Sequence, residues 1–575
     1  MIHTFQLLGY NFVLDIYSGS VHIVDDLVYA IIERLKDVPR DVALAVLSDD
    51  SSPLLSGNSS SESSENSFVE LNNDSVDNLR QELIDMLSPQ YTKEDVEDAM
   101  NVLLALTYDN KLFSEKNPFE KWRVLSQHRN LPTFEGFESD NKHSDTQTDF
   151  SESSSCDHED RKIWKEYLES CMSAGTCNAD NTPEMCDSPI CDYEEDRVLS
   201  DNLDNCAFRK ADGAVKALCL NVAHACNLAC SYCFAGQGKY KGAQALMPLE
   251  TGKRAIDFLV EHSADRHYLE VDFFGGEPLL NWPMVKETVA YARSLENKTG
   301  KRFRFTLTTN GILIDDDVID FTNREMDNVV LSLDGRKTTH DRFRVDRQGR
   351  GSYDTVVPKF QELVRRRTQG THYMRGTFTH ANADFLNDIL HILDLGFTQI
   401  SMEPVVSPPG MPYALTSGDI AFIKQQYEEL ARLMIQRRKE GRPFTFYHYM
   451  IDLEHGPCIY KRIAGCGSGT EYLAVTPTGD LYPCHQLVDN PAFLMGNLWD
   501  GITNNALQDT YRHLNLLSRK ACRDCWAQLY CSGGCAANAF HTTGDLFGVD
   551  KQGCELFRKR MECALAIKAA EAIDG

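Results

Sequence analysis

The chain lacks the features that would carry it into or across a membrane. Its opening residues, MIHTFQLLGYNFVLD, have no basic stretch followed by an apolar core. No later run approaches the roughly 18 uninterrupted apolar positions that a span needs. Neither a secretory signal nor a membrane span is predicted, and the expected location is the cytoplasm. Positive charge is scarce as well: 58 Lys and Arg against 85 Asp and Glu leave a formal net charge of −27. Polyanions would be repelled over a Debye length, so nucleic acid and anionic bilayers are excluded as main partners. Two stretches also lack apolar residues to bury. Asp49 to about Ser75 is Ser, Asn and Asp, and residues 131–206 hold about 20 acidic against about 5 basic residues, with no sustained apolar period beyond Trp164 to Leu168. Both are expected to be disordered, the second as an acidic insertion.

What the chain has in excess is cysteine, 19 in all. In a reducing compartment that number points to metal binding or redox chemistry rather than disulfides, and spacing decides between them. At 575 residues the chain exceeds one core, and roughly two to four domains are expected. Residues 1–48 alternate apolar and polar side chains in FQLLGY, FVLDIY and SVHIVD, followed by a helical pattern from Leu27 to Leu35. This predicts a small three-stranded sheet with a helix. Two further helices are expected at Asn78 to Leu87 and Lys93 to Leu106, the second opened by Thr92 and Asp95 in a near capping box.

After Lys216 short apolar strands alternate with helix-length amphipathic stretches, the pattern of an α/β protein with a parallel sheet. The strand candidates are 216–222, 268–274, 303–309, 328–333, 373–379 and 399–403, with helices such as Glu250 to His262, Met284 to Leu295 and Tyr353 to Arg367 between them. Six such units make an open, partial (β/α)6 TIM-like barrel. From about Gly456 to Cys563 the sequence turns to Gly, Pro and Cys and is expected to fold around metal. The expected domains are 1–116 (interrupted at 49–75), an insertion at 117–212, the barrel at 213–405, a helical linker at 406–455 and a Cys-rich domain at 456–575.

Cys226, Cys230 and Cys233 lie in HACNLACSYCFAG, just past the first barrel strand, where parallel βα folds place their chemistry. Three thiolates in one loop can hold three irons of a 4Fe-4S cube and leave the fourth open; three ligands plus another could also hold structural zinc. FFGGEP, Phe273 to Pro278, ends the second strand with glycines that would let a ligand reach the backbone. LTTNG (Leu307 to Gly311) and LSLDG (Leu331 to Gly335) end the next two and offer hydroxyl, amide or carboxylate groups to a ribose. Arg375 and Arg344 are each suited to a bidentate grip on a carboxylate. Together these describe partners for S-adenosylmethionine.

Here the sequence resembles the radical SAM superfamily, whose C-x3-C-x-aromatic-C signature is met with Tyr232 as the aromatic. The resemblance covers roughly 215 to 405. It implies a cluster on Cys226, Cys230 and Cys233 that cleaves S-adenosylmethionine to a 5′-deoxyadenosyl radical. It also implies an amine contact at Gly275, Gly276, Glu277 and Pro278, ribose contacts at Ser332 and Asn310, and a carboxylate contact at Arg375.

Cys466, Cys484, Cys522, Cys525, Cys531, Cys535 and Cys554 form a second array, with Cys458 before it and Cys563 after. On spacing alone, paired zinc sites and clusters are both open. The array resembles the SPASM pattern of peptide-modifying radical SAM enzymes, which implies two auxiliary 4Fe-4S clusters and three clusters in all. Cys466, Cys484 and Cys535 would hold the first auxiliary cluster and Cys522, Cys525, Cys531 and Cys554 the second. Cys458 would either close the first or leave an iron open for a substrate thiolate, whose pKa the metal would lower.

The N-terminal sheet resembles the winged-helix-like RiPP recognition element, which binds a leader peptide as an added strand. The expected groove is the edge at Val21 to Val24 with the helix from Lys93; a dimerising or merely structural domain is the alternative. MIHTFQLLGYNFVLDIYSGSVHIVDDLVY, LCLNVAHACNLACSYCFA and GCGSGTEYLAVTPTGDLYPCHQLV are similar to maturases of the six-cysteine SCIFF peptides. That resemblance implies Cys-to-Thr thioether crosslinks in a Cys-rich precursor and a ferredoxin- or flavodoxin-type reductant. Alternatives are a sulfatase-maturase-like dehydrogenase and a non-catalytic zinc-binding peptide adaptor. No general base is assigned, Glu403 being equally a structural hydrogen-bonding group. The insertion carries Cys156, Cys171, Cys177, Cys186, Cys191 and Cys206, none at cluster spacing; a lineage-specific loop and a tethered substrate mimic are both open.

Overall fold

A computed structural model describes residues 1–48, 73–114, 214–238, 240, 244–407, 410–453 and 459–574. The acidic insertion with its cysteines, most of the Ser-rich stretch, and Cys458 lie outside the described residues. Two compact units emerge, Met1–Lys121 with Leu565–Gly575, and Trp122–Ala564.

In the first unit, β1 (Ile2–Leu7), β2 (Tyr10–Asp15) and β3 (Val21–Val24) form an antiparallel sheet in chain order. Leu7 pairs with Tyr10, and Leu8 and Gly9 between them both have positive φ, the conformation a two-residue hairpin requires. Asp15 closes the second turn by accepting from the Tyr17 and Ser18 amides, and it also accepts from the Ser114 amide and hydroxyl at 2.9 Å. Helices follow at Asp26–Leu35, Arg40–Leu47, Asn73–Leu87 and Lys93–Tyr108. Thr92 and Asp95 form the full capping box. The core joins Val13 of the sheet to Ile31, Leu35, Val46, Met100 and Leu103 of the helices.

Two expectations change. Helix Arg40–Leu47 stands where only a sheet and one helix were expected: Pro39 precedes its first turn, and Val42, Ala43, Val46 and Leu47 bury one face. Helix Asn73–Leu87 begins inside the stretch expected as loop to Ser75.

In the second unit, β4 (Ala217–Ala223), β5 (Tyr268–Gly275), β6 (Arg302–Thr309), β7 (Asn328–Ser332), β8 (Thr371–Phe378) and β9 (Gln399–Pro404) run parallel in chain order. They coincide with the expected strands to within a residue or two. Phe273, Phe305, Leu331 and Phe378 are buried, as period-two burial of a strand face requires. The sheet is larger than expected. Within the stretch read as linker, β10 (Thr445–Phe446) adds to β9, and helix Ser417–Lys439 buries Ile420, Ile423, Tyr427 and Leu430. At the other edge β11 (Tyr472–Val475) adds in parallel to β4, followed by antiparallel β12 (Asp480–Tyr482), β13 (Gly496–Asn497) and β14 (Gly501–Ile502). The Cys-rich tail thus continues the barrel's sheet, and it buries Leu473, Leu481, Phe493, Met495 and Tyr511 as an apolar core of its own. Among the described residues no helix is long and apolar enough to cross a membrane.

Candidate active site at the strand ends

Cys226, Cys230 and Cys233 follow β4 in a loop without regular structure, and backbone pairing fixes it from two sides. The Gly276 and Glu277 amides donate to Ala223 and Ala225 at 2.7 and 2.9 Å, and the Ala229 amide donates to Val345 at 2.7 Å. A Cβ on Gly275 would lie 2.6 Å from the Ala223 oxygen, and one on Gly276 2.1 Å from the Ala225 oxygen. Both glycines are therefore required by the close approach of the cysteine loop itself, where the sequence suggested room for a ligand. Glu277 differs from expectation in the same way. It is 1% exposed, and its carboxylate accepts from Thr309 Oγ1 at 2.7 Å and from the Asn310 and Leu279 amides at 2.8 and 3.0 Å. Burial raises its pKa to about 7 against those bonds. The side chain ties two strand-end turns together, leaving the backbone of 275–278 as the amine-binding candidate. Asn310 points at the thiols, its Nδ2 lying 3.6 Å from Cys226 Sγ and 2.7 Å from Asn227 Oδ1.

Beneath the loop lies a buried ion pair. Arg344 Nε and Nη2 donate to the two oxygens of Asp334 at 2.9 and 3.0 Å, and Tyr232 donates its hydroxyl to Asp334 at 2.5 Å. The Arg344 guanidinium lies 5.6 Å from the Tyr232 ring centroid, and the Thr377 amide donates to Asp334 at 3.0 Å. Burial alone would lift the Asp334 carboxyl, but Arg344 outweighs it and holds the pKa below the ordinary value. Two sequence readings are thereby corrected: the LSLDG carboxylate is committed to Arg344 rather than a ribose, and Arg344 has no free fork for a carboxylate. Arg375 is the arginine left at the mouth, half-exposed, opposite Ser332 in register and donating to Glu403 at 2.6 Å. Glu403 also faces His448 at 3.8 Å.

Burial raises two thiols of the loop, Cys226 to about 12 and Cys230 to about 11; Arg344 pulls Cys230 back. The charges that reach the C-terminal thiols run within two groups. Burial raises Cys484, and the thiols whose charge reaches it are Cys535 and Cys466. Burial likewise raises Cys531 to about 12, and there the reaching thiols are Cys554, Cys522 and Cys525. Cys563 is buried elsewhere, beside Tyr449. Phe234, which follows Cys233, Phe274 of β5, and His485, which follows Cys484, have ring centroids 5.1 to 6.3 Å apart, joining the loop to the first set.

The donor chemistry is that of iron–sulfur clusters, although among the described residues no three His, Cys, Asp or Glu side chains converge tightly enough to hold a single metal ion. Each donor set consists of thiols alone. Tyr511 is fully buried with no partner for its hydroxyl among the described residues, and Cys484, Cys535 and Cys466 are the thiols whose charge reaches it. Arg519 is buried three residues before Cys522, whose amide donates to the Arg519 carbonyl at 3.0 Å. Sequence reasoning missed Tyr511, Arg519 and the Asp334–Arg344 pair, because none carries a local signature.

Comparison with known proteins agrees. The radical SAM superfamily profile matches residues 220–389, and that of the SPASM iron-sulfur cluster-binding domain residues 466–526. The chain is 22% identical over 378 residues to the radical SAM cyclopropyl synthase TigE of Paramaledivibacter caminithermalis, spanning 60% of this chain and 72% of that protein. It is 25% identical over 354 residues to the mycofactocin maturase MftC of Mycobacterium tuberculosis, spanning 60% and 84%. It is also 25% identical over 339 residues to the cysteine-type anaerobic sulfatase-maturating enzyme of Clostridium novyi, spanning 54% and 85%. Among solved structures, native anSMEcpe with bound AdoMet and Kp18Cys peptide shares the fold, with TM-score 0.52 at 21% identity over 62% of this chain and 99% of that one. The chain carries a radical SAM domain at the strand-end loop, joined to a SPASM iron–sulfur domain.

Proposed function

We propose that this chain is a peptide maturase that forms thioether crosslinks, Cys sulfur to carbon, in a Cys-rich precursor peptide. The observation that carries the reading is the adjacency of two thiol sites. The loop of Cys226, Cys230 and Cys233 is linked through Phe234, Phe274 and His485 to the set of Cys466, Cys484 and Cys535. Bound at the loop, a cluster and S-adenosylmethionine supply a 5′-deoxyadenosyl radical able to take a hydrogen atom from a peptide. The backbone of Gly275, Gly276 and Pro278 would take the amine of that cosubstrate, Ser332 and Asn310 its ribose, and Arg375 its carboxylate, exchanging Glu403 for it. Tyr232 and Glu277 hold the loop in place. Three thiolates on the first auxiliary set leave a corner for Cys458 or a substrate thiolate, which would bring the sulfur next to the carbon radical. Cys522, Cys525, Cys531 and Cys554 would hold the third cluster.

The N-terminal unit is read as the winged-helix-like element that receives the leader. Among the described residues β3 pairs with β2 alone, and Ile23 on it is 42% exposed, an apolar side chain on that edge. A ferredoxin- or flavodoxin-type protein would supply electrons. The likeness to sulfatase-maturating enzymes favours a second reading, oxidation of a Cys or Ser side chain, and the product separates the two. Anaerobically reconstituted protein is incubated with S-adenosylmethionine, a low-potential reductant and the precursor peptide. Mass spectrometry should find two hydrogens lost per crosslink and a Cys no longer alkylated; a formylglycine product would sink the thioether reading. A colourless protein holding zinc and little iron would sink both and leave the peptide adaptor.

A further inference from the structure

Glu403 lies at the C-terminal end of β9, on the open face of the sheet. In register, Ser332 of β7 stands opposite Arg375 of β8, Arg375 opposite Ser401 of β9, and Thr377 opposite Glu403. Met374, Gly376 and Phe378 are buried on one face of β8, so Arg375, Thr377 and Glu403 share the other. Hydrogen bonds tie this row to the cysteine loop. The Thr377 amide donates to Asp334 at 3.0 Å, and Asp334 accepts at 2.5 Å from the hydroxyl of Tyr232, which lies between Cys230 and Cys233. Glu403 is therefore one strand, roughly 5 Å, from the residue that Asp334 binds beneath the loop. Its side chain is 34% exposed, and it holds Arg375 through Nη2 alone, at 2.6 Å. The other Glu403 oxygen faces His448 Nε2 at 3.8 Å, beyond hydrogen-bond reach, while that nitrogen lies 3.4 Å from Ser401 Oγ. Burial lowers His448 to about 3, so it is uncharged at neutral pH. Burial would raise the Glu403 carboxyl, but Arg375, ahead of His448 and of Arg560 from helix Lys551–Asp574, holds it below its ordinary value. His485, which burial lowers to about 4, is also within reach of the Arg375 and Glu403 charges.

We propose that Glu403 is the proton acceptor of the crosslinking step, freed for the substrate thiol when the carboxylate of S-adenosylmethionine takes its place on Arg375. The inference rests on the reading in which Arg375 grips that carboxylate and a peptide thiol is joined to carbon. Each crosslink costs the peptide two hydrogens. One leaves carbon as an atom, to the 5′-deoxyadenosyl radical; the thiol gives up the other as a proton, to Glu403. Forming the C–S bond from thiolate and carbon radical leaves one electron, which passes to an oxidised iron–sulfur cluster of the C-terminal domain. Until cosubstrate binds, Arg375 keeps the carboxylate a weak base; with Arg375 taken, burial is opposed less and the carboxylate becomes a stronger one. A merely structural role, orienting Arg375, requires the opposite, that the pair persist with cosubstrate bound.

Two measurements on the reconstituted full chain test this. Calorimetry of S-adenosylmethionine binding without reductant, in buffers of different ionisation enthalpy between about pH 5 and 7, counts the protons exchanged. Because Glu403 passes from a lower to a higher pKa, wild type should take up as much as about one proton more per cosubstrate than E403Q. In turnover with reductant and precursor peptide, the ratio of crosslinks to 5′-deoxyadenosine should fall at least about a hundredfold in E403Q. It should return in part in E403D, and in E403A when formate is added. Equal proton counts in wild type and E403Q would overturn the proposal, as would a ratio in E403Q within about threefold of wild type. If E403Q does not load iron, E403A with and without formate supplies the ratio, and failure of rescue there overturns it. Wild type that makes no thioether would fault the underlying reading instead, and mass spectrometry of its product shows that before any variant is compared.

Discussion

Replacing Asp334 with Asn would test how the radical-site loop is held. The substitution keeps the side chain's shape and removes its charge beneath Arg344, which is itself buried. Lost or weakened are the two-pronged pair at 2.9 and 3.0 Å and the Tyr232 bond at 2.5 Å. One Coulomb contact at this range is worth about 4 kcal/mol at an effective dielectric of ~20, and breaking a buried pair from one side costs ~3–5 kcal/mol. Both routes converge on about 4 kcal/mol for D334N. The double variant D334N/R344Q removes the stranded charge as well as the pair, so it should recover at least about 2 kcal/mol. Urea unfolding of the iron-free protein at neutral pH, followed by intrinsic tryptophan fluorescence, supplies the free energies. Hydrogen exchange across residues 228–234 shows whether the loss is local to the loop. If D334N falls within about 0.5 kcal/mol of wild type, or the double variant is no better than the sum of its parts, the pair is not what holds the loop.

Cys226→Ala, Cys230→Ala or Cys233→Ala should abolish release of 5′-deoxyadenosine, whereas Cys522→Ala should retain uncoupled cleavage; chromatography of the reaction decides, and cleavage surviving in the first group would refute the assigned cluster. Gly276→Ala drives a Cβ to 2.1 Å from the Ala225 oxygen, and it should lower iron bound at the radical site with little change in helix content. Burial, helped by Glu270, raises Asp272 to about 7 from 3.8. Its folded-state pKa thus exceeds the unfolded one, so the native state binds the extra proton and stability falls as pH rises from about 4 to about 7. D272N should therefore gain ~2 kcal/mol over wild type at pH ~8 and little at pH ~4, allowing for partial exposure; equal gains at both pH values in urea titrations would contradict this. Tyr511→Phe removes a buried hydroxyl with no partner among the described residues, so it should be neutral or slightly stabilising without iron and destabilising by ~1 kcal/mol with it, as paired melts would show.

Residue patterns alone determined the features that are local along the chain. The six barrel strands were legible as short apolar runs, β5, β6 and β7 with the period of two that burial on one sheet face leaves, and the Thr92–Asp95 cap because its bonds span three residues. The two cysteine arrays were legible because their loop spacings are themselves the motif. Helix Arg40–Leu47 was hidden because eight residues carry too few turns to declare a period. Strands β10 to β14 were hidden because segments of two to four residues form only where an existing sheet edge offers them partners. What surrounds the thiols was decided by tertiary structure. Tyr232 and Asp334 meet across 102 residues of chain, and Glu277 turns inward to Thr309 and Asn310. A charge's burial and its partners depend on which distant segments fold against it, and no spacing along a chain encodes that.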